Sequence, residues 1–137
     1  MIIPSIKDNL TKDHVHFLDT FSQSCRHSII SMLKQSQSGH PGGSLSCIDY
    51  LSLLYCFILS QTNEKIVISN GHISPAVYAV LSELGFVSKK NVIDTFRKHG
   101  SIFEGHVSRH VPGVWYGTGP LGTGVSAASG FALGEKL

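Results

Sequence analysis

Ile66-Val67-Ile68-Ser69-Asn70-Gly71-His72-Ile73-Ser74-Pro75-Ala76-Val77 is the stretch on which the fold reading turns. Its first three residues are β-branched and uncharged, as in a strand buried on both faces of a parallel sheet. Ser69-Asn70-Gly71-His72 then breaks the pattern. Ser74-Pro75 opens a helix, because proline is favoured in a first helical turn. Val77, Val80, Leu81 and Leu84 supply that helix's apolar face before Gly85 ends it. A strand that feeds a loop and then a helix predicts an α/β class.

Working outward towards the N-terminus, Thr11 to Gln37 repeats apolar groups at helical spacing through Phe17, Phe21, Cys25, Ile29, Met32 and Leu33. Ser38-Gly39-His40-Pro41-Gly42-Gly43 stops this helix, and a second is expected from about Ser46, with Ile48, Leu51, Leu54, Tyr55 and Ile58 inward. Towards the C-terminus, Lys89 to His99 reads as a short helix with Val92, Ile93 and Phe96 inward. Gly100 to Gly119 reads as loop, with Val114-Trp115-Tyr116 as its best strand. Gly117-Thr118-Gly119-Pro120-Leu121-Gly122-Thr123-Gly124 then leads into a small-residue helix, Val125 to Ala132, suited to close packing. Only two strands are credible, so the expected parallel sheet is incomplete and the part present is helix-rich.

The 137 residues suit one domain. They are 42% hydrophobic and 15% charged, poorer in charge than an ordinary soluble domain, which predicts apolar surface covered by more chain or another subunit. The net charge of +2 comes from scattered Lys and Arg, so nucleic acid is not an expected partner. Cys25, Cys47 and Cys56 lack CxxC spacing, lie in apolar helical stretches and read as core thiols in a reducing compartment. Met1 to Pro4 runs into polar Ser5-Ile6-Lys7-Asp8, unlike a secretory leader, and Tyr50 to Leu59 is shorter than the roughly 20 residues of a membrane span. A cytoplasmic protein without membrane contact is expected.

Chemistry concentrates in the loops. Gly117-x-Gly119-x-x-Gly122 satisfies a dinucleotide fingerprint, which keeps a nucleotide-binding oxidoreductase open, but the acidic residue required about 20 positions later is missing. Three of the eight histidines, His40, His72 and His106, directly follow a glycine in loops. Imidazole can donate, accept or transfer a proton near neutrality, and a neighbouring glycine lets a ligand approach the backbone. His14, His16, His27, His99 and His110 lack that setting and read as surface or helix residues. No HExxH pair occurs and no Cys lies beside these loops, so a histidine-held metal is not expected.

Taken together, Ser38-Gly39-His40-Pro41-Gly42-Gly43, Ile68-Ser69-Asn70-Gly71-His72, Gly105-His106, Pro112-Gly113-Val114 and Gly119-Pro120-Leu121-Gly122-Thr123-Gly124 follow the order and approximate spacing of the N-terminal part of transketolases. The chain resembles in particular the N-terminal subunit of split transketolases, with counterparts for Ser74-Pro75-Ala76-Val77-Tyr78 and Phe103-Glu104-Gly105-His106. The resemblance runs from about Phe21 onward. It implies thiamine diphosphate with a divalent metal such as Mg, and transfer of a two-carbon ketol unit from a ketose phosphate to an aldose phosphate.

The resemblance also implies roles. His40 would face the substrate carbonyl oxygen and shuttle its proton, and His106 would hydrogen-bond the donor's C1 hydroxyl, making both catalytic and substrate-binding. His72 would contact the cofactor near its diphosphate. Gly119, Pro120 and Leu121 would line the aminopyrimidine ring. The family's metal-binding Gly-Asp-Gly motif would lie beyond Leu137, so residues 1–137 are expected to be the N-terminal segment of a diphosphate-binding domain, truncated before that motif and without metal ligands of its own. Gly117 stands where the family commonly has Thr, Glu64-Lys65 where an Asp-Arg pair is common, and the stretch from Leu59 to Lys65 is short. The expected partners are sugar phosphates and a C-terminal transketolase subunit or remaining chain, in a homo- or hetero-oligomer. A non-catalytic interaction fragment of the same fold is the alternative.

Overall fold

A computed structural model describes residues 10–59 and 64–137. The N-terminal stretch judged unlike a leader and the centre of the short Leu59 to Lys65 connection lie outside the described residues. Among the described residues five α-helices carry the fold: α1 (Lys12–Ser36), α2 (Pro41–Leu53), α3 (Ser74–Glu83), α4 (Lys89–Thr95) and α5 (Thr123–Gly134). Helices α1, α2, α3 and α4 pack on one another around a single core, whereas α5 does not join that packing.

Helix α1 starts where its sequence supplies a reciprocal cap. The Thr11 hydroxyl accepts from the His14 N–H (3.3 Å), and His14 Nδ1 accepts from the Thr11 N–H (3.0 Å), so two orphan donors are satisfied. Phe21, Cys25, Ile29 and Met32 form its buried stripe, at the expected three- to four-residue spacing. Gln37, in a left-handed conformation, closes the helix.

Helix α2 begins at Pro41 rather than near Ser46. Pro41, Gly42 and Gly43 are therefore its first turn and not part of a loop. A proline at the first helical position sacrifices no intrahelical hydrogen bond, and it confines the preceding residue to extended backbone. His40 is that residue, at φ −121° and ψ 95°. Beyond Leu53 the helix widens into a π-helical turn, Leu54–Leu59. Bonding from i to i+5 shifts the phase of the buried face, so Tyr55, Cys56 and Phe57 are buried while Ile58, expected inside, is exposed. By length and mean hydropathy the joined stretch Pro41–Leu59 could cross a membrane, but its Ile48, Leu51 and Tyr55 are core residues here.

Among the described residues the two expected strands are not formed. Ile66, Val67 and Ile68 are irregular and only half-buried, and neither they nor Val114-Trp115-Tyr116 form a strand; among the described residues there is none. A ladder needs a partner to take the backbone N–H and C=O groups, and β-branched composition cannot provide one. In compensation α3 is more central than its pattern suggested, with every residue from Ser74 to Ser82 buried. Helix α4 ends at Thr95, short of His99, and the glycine-led helix α5 buries only Gly124. The close packing expected from its small residues is confined to that glycine, whose Cα faces Ser69.

Candidate functional site

Three separate elements deliver one imidazole each to the same place. His40 stands at the N-cap of α2, His72 in the 3-10 turn Gly71–Ile73 that leads into α3, and His106 in the loop after α4. The His40 and His72 rings meet edge to face at 5.0 Å between centroids and 88°, and His72 and His106 at 4.5 Å and 64°. His40 and His106 are exposed and His72 half-buried, so the cluster is an open wall of polar rings backed by the core.

The wall is held from behind by α3. Tyr78, fully buried, donates its hydroxyl to the His106 carbonyl (2.9 Å) and accepts from the Ser108 N–H (3.1 Å). Burial pushes its phenol up to about 12, which keeps the donor proton in place. Ser74 Oγ donates to the Gly105 carbonyl (2.9 Å), and Phe103 stacks edge-on against Tyr78. At the joint, Gly71 has no room for a side chain: a Cβ there would collide with Thr118 Oγ1 and lie 2.7 Å from His106 Cδ2. Thr118 is in turn fixed by its N–H (2.8 Å) and hydroxyl (3.2 Å) to the Val107 carbonyl.

Gly119, Pro120 and Leu121 leave this anchor as an exposed turn, with Leu121 70% exposed. The turn is tied back at its far end, where the Gly124 N–H donates to Ser69 Oγ (3.2 Å). Thr123 Oγ1 bonds the Pro120 carbonyl (2.8 Å) and lies 2.7 Å from Tyr116 Oη. The segment 118–124 is therefore anchored at one end beside Gly71 and at the other on Ser69. A Cβ on Gly119 would meet nothing within 4 Å, so its backbone is open to a ligand.

The first turn of α5 fits the dinucleotide reading poorly. Its Gly124 amide is taken by Ser69, its Val125 amide by the Gly122 carbonyl (3.2 Å), and no strand precedes the glycines among the described residues. Amides already satisfied are not free to cradle a pyrophosphate. The donor set does fit one side of a polar, anionic heterocyclic ligand, since imidazoles and an open glycine backbone offer hydrogen bonds. Among the described residues no group of three or more His, Cys, Asp or Glu could hold a metal.

Sequence reasoning singled out the three histidines and the Gly119-Pro120-Leu121 turn. It assigned nothing to Tyr78, Ser74, Thr118 or Ser69, which lock the wall. Tyr78 sits in a helix buried all round, where no periodicity marks a polar role, and the others are ordinary small polar residues whose partners are distant in sequence.

The helical scaffold thus presents three imidazoles on one open face and an exposed glycine turn. Residues 19–137 match the family described as transketolase, thiamine diphosphate binding domain, and the chain belongs to that family. It is 34% identical over 131 residues to one of the subunits of the apulose-4-phosphate transketolase of Phocaeicola vulgatus, a match that covers 90% of this chain and 46% of that relative. It is 37% identical over 123 residues to the transketolase of Treponema pallidum, 83% of this chain and 19% of that protein. The transketolase structure from Leishmania mexicana superposes with a TM-score of 0.74 at 29% identity, over 85% of this chain and 19% of that one. The chain thus spans less than half the length of these relatives.

Proposed function

We propose that this chain supplies the histidine wall of a thiamine diphosphate-dependent transketolase-type site, which moves a two-carbon ketol unit from a ketose phosphate to an aldose phosphate. The observation that carries the reading is the convergence of His40, His72 and His106 from three elements onto one open face. When bound, the cofactor supplies the carbon nucleophile and electron sink for carbon–carbon cleavage.

The chain's own residues bind and move protons. His72, central and least exposed of the three, donates a hydrogen bond to the anionic end of the cofactor. His40 gives and takes the proton of the substrate carbonyl oxygen, and His106 holds the donor's C1 hydroxyl, so both act where solvent-exposed rings can reach substrate. Gly119 and Pro120 offer backbone groups to the aminopyrimidine, and Leu121 offers its apolar side chain.

Metal ligands come from elsewhere in this reading, since no Gly-Asp-Gly occurs in the 137 residues. The remaining diphosphate-binding region, as further chain or as a C-terminal subunit, completes the site and contributes the strands that pair Ile66-Val67-Ile68 into a parallel sheet. The apolar side chains that α5 leaves uncovered, Val125 at 69% and Leu133 at 63% exposure, support such a partner. A divalent metal such as Mg would be held by that region and would neutralise diphosphate charge there, and a cytoplasmic setting suits sugar phosphate substrates.

Titration of the 137-residue chain with thiamine diphosphate, followed by NMR, tests the reading. Shifts confined to the His72 ring and the Gly119 to Leu121 backbone are expected, and His72→Ala abolishes them. Equal shifts with a nicotinamide dinucleotide, or perturbation only at remote residues, would overturn it. With Mg and sugar phosphates the chain alone is expected to show no turnover.

A further inference from the structure

We propose that Arg97 is a positioning residue that seats the His106 imidazole against His72. Arg97 takes a left-handed conformation, φ +58°, that side chains other than glycine rarely adopt. Glycine would stand there without steric cost, so an arginine is explained by what its side chain does.

The backbone at this point closes a loop. The Arg97 N–H donates to the Phe103 carbonyl (2.8 Å), and within the loop the Phe103 N–H is held by Ser101 Oγ (3.1 Å). This reversal brings the guanidinium across Gly105, the residue before His106. A Cβ on Gly105 would lie 2.8 Å from Arg97 Nε, 3.0 Å from Cζ and 3.1 Å from Nη2, so only glycine admits the guanidinium there. None of the ion pairs among the described residues includes Arg97.

Gly105 is therefore clamped on two sides. Ser74 Oγ holds its carbonyl from α3, Tyr78 holds the next carbonyl, and Arg97 covers its Cα. With the peptide on either side restrained, the direction of the His106 side chain is set, and the ring comes to rest beside Gly71 and His72. A guanidinium performs this well because its plane is stiff and stacks on a flat surface, which a lysine ammonium cannot do.

The weight of His106 in catalysis rests on the proposed transketolase-type reading, but the ring geometry does not, so the two can fail separately. The test is the nuclear Overhauser contact between the ring protons of His72 and His106 in the 137-residue chain, with the His40 to His72 contact as internal reference. Two variants remove the clamp by different routes: Arg97→Gly deletes the guanidinium and relieves the backbone, and Gly105→Ala displaces it while keeping the arginine. Both are expected to lower the His72 to His106 contact at least about two-fold while the His40 to His72 contact persists. Loss of both contacts together, loss of neither, or an effect in only one variant overturns the proposal.

Discussion

Gly71→Ala probes the joint of the site most directly. The added methyl would strike Thr118 Oγ1, lie 2.7 Å from His106 Cδ2 and 2.8 Å from Thr118 Cβ. All three atoms belong to restrained groups, since Thr118 is bonded twice to the Val107 carbonyl and His106 stacks on His72. Inserting a carbon into such a contact costs about 1–3 kcal/mol. A Thr118 hydroxyl forced off its acceptor adds about 1 kcal/mol, and a displaced ring pair about 0.5–1 kcal/mol. Alanine's stiffer unfolded chain offsets roughly 0.4–1 kcal/mol. The net loss is about 2–4 kcal/mol, which for a chain of this size lowers the melting temperature by roughly 10 °C. Thermal melting by circular dichroism reads it. Gly119→Ala, with nothing within 4 Å, is the control and stays within about 0.5 kcal/mol. Adding Thr118→Gly to Gly71→Ala removes two of the three collisions, and a favourable coupling of about 1 kcal/mol is expected. A Gly71→Ala chain that melts within about 1 °C of the parent, on the scale set by these costs, refutes the reasoning.

Three further outcomes follow from the core. Glu83 is 11% exposed and accepts from Ser24 (2.8 Å), Ser28 (3.4 Å) and Lys89, tying α1, α3 and α4 together. Glu83→Ala should cost about 2 kcal/mol in urea unfolding, a buried-pair figure reduced because Lys89 is 43% exposed; a loss below about 0.5 kcal/mol would contradict this. Ser44 is fully buried in the first turns of α2 with its hydroxyl unpartnered, so Ser44→Ala should be neutral or stabilise by up to about 1 kcal/mol, and clear destabilisation would reveal an unseen partner. Burial raises all three thiols, Cys56 up to about 12 and Cys25 higher still, with Cys47 less enclosed. Ellman's reagent at pH 8 should therefore modify Cys47 in the folded chain and Cys25 and Cys56 only on unfolding; three equal rates would show that the core is open.

Local rules carried much of this structure. Helical periodicity and a capping box determined α1, proline at a first turn and glycine at a last one bounded α3, and the order of the histidine and glycine loops identified the family. Those features depend on neighbours within one or two turns, so the chain's own letters decide them. Tertiary structure decided the rest. Ile66-Val67-Ile68 has strand composition but no strand beside it among the described residues, and a sheet exists only when another segment takes its hydrogen bonds. Tyr78, Thr118 and Arg97 gain their roles from contacts with residues 6 to 47 positions away, which no spacing rule encodes. That the three imidazoles touch at all is a product of packing: α2, the turn before α3 and the loop after α4 meet only because their helices share one core.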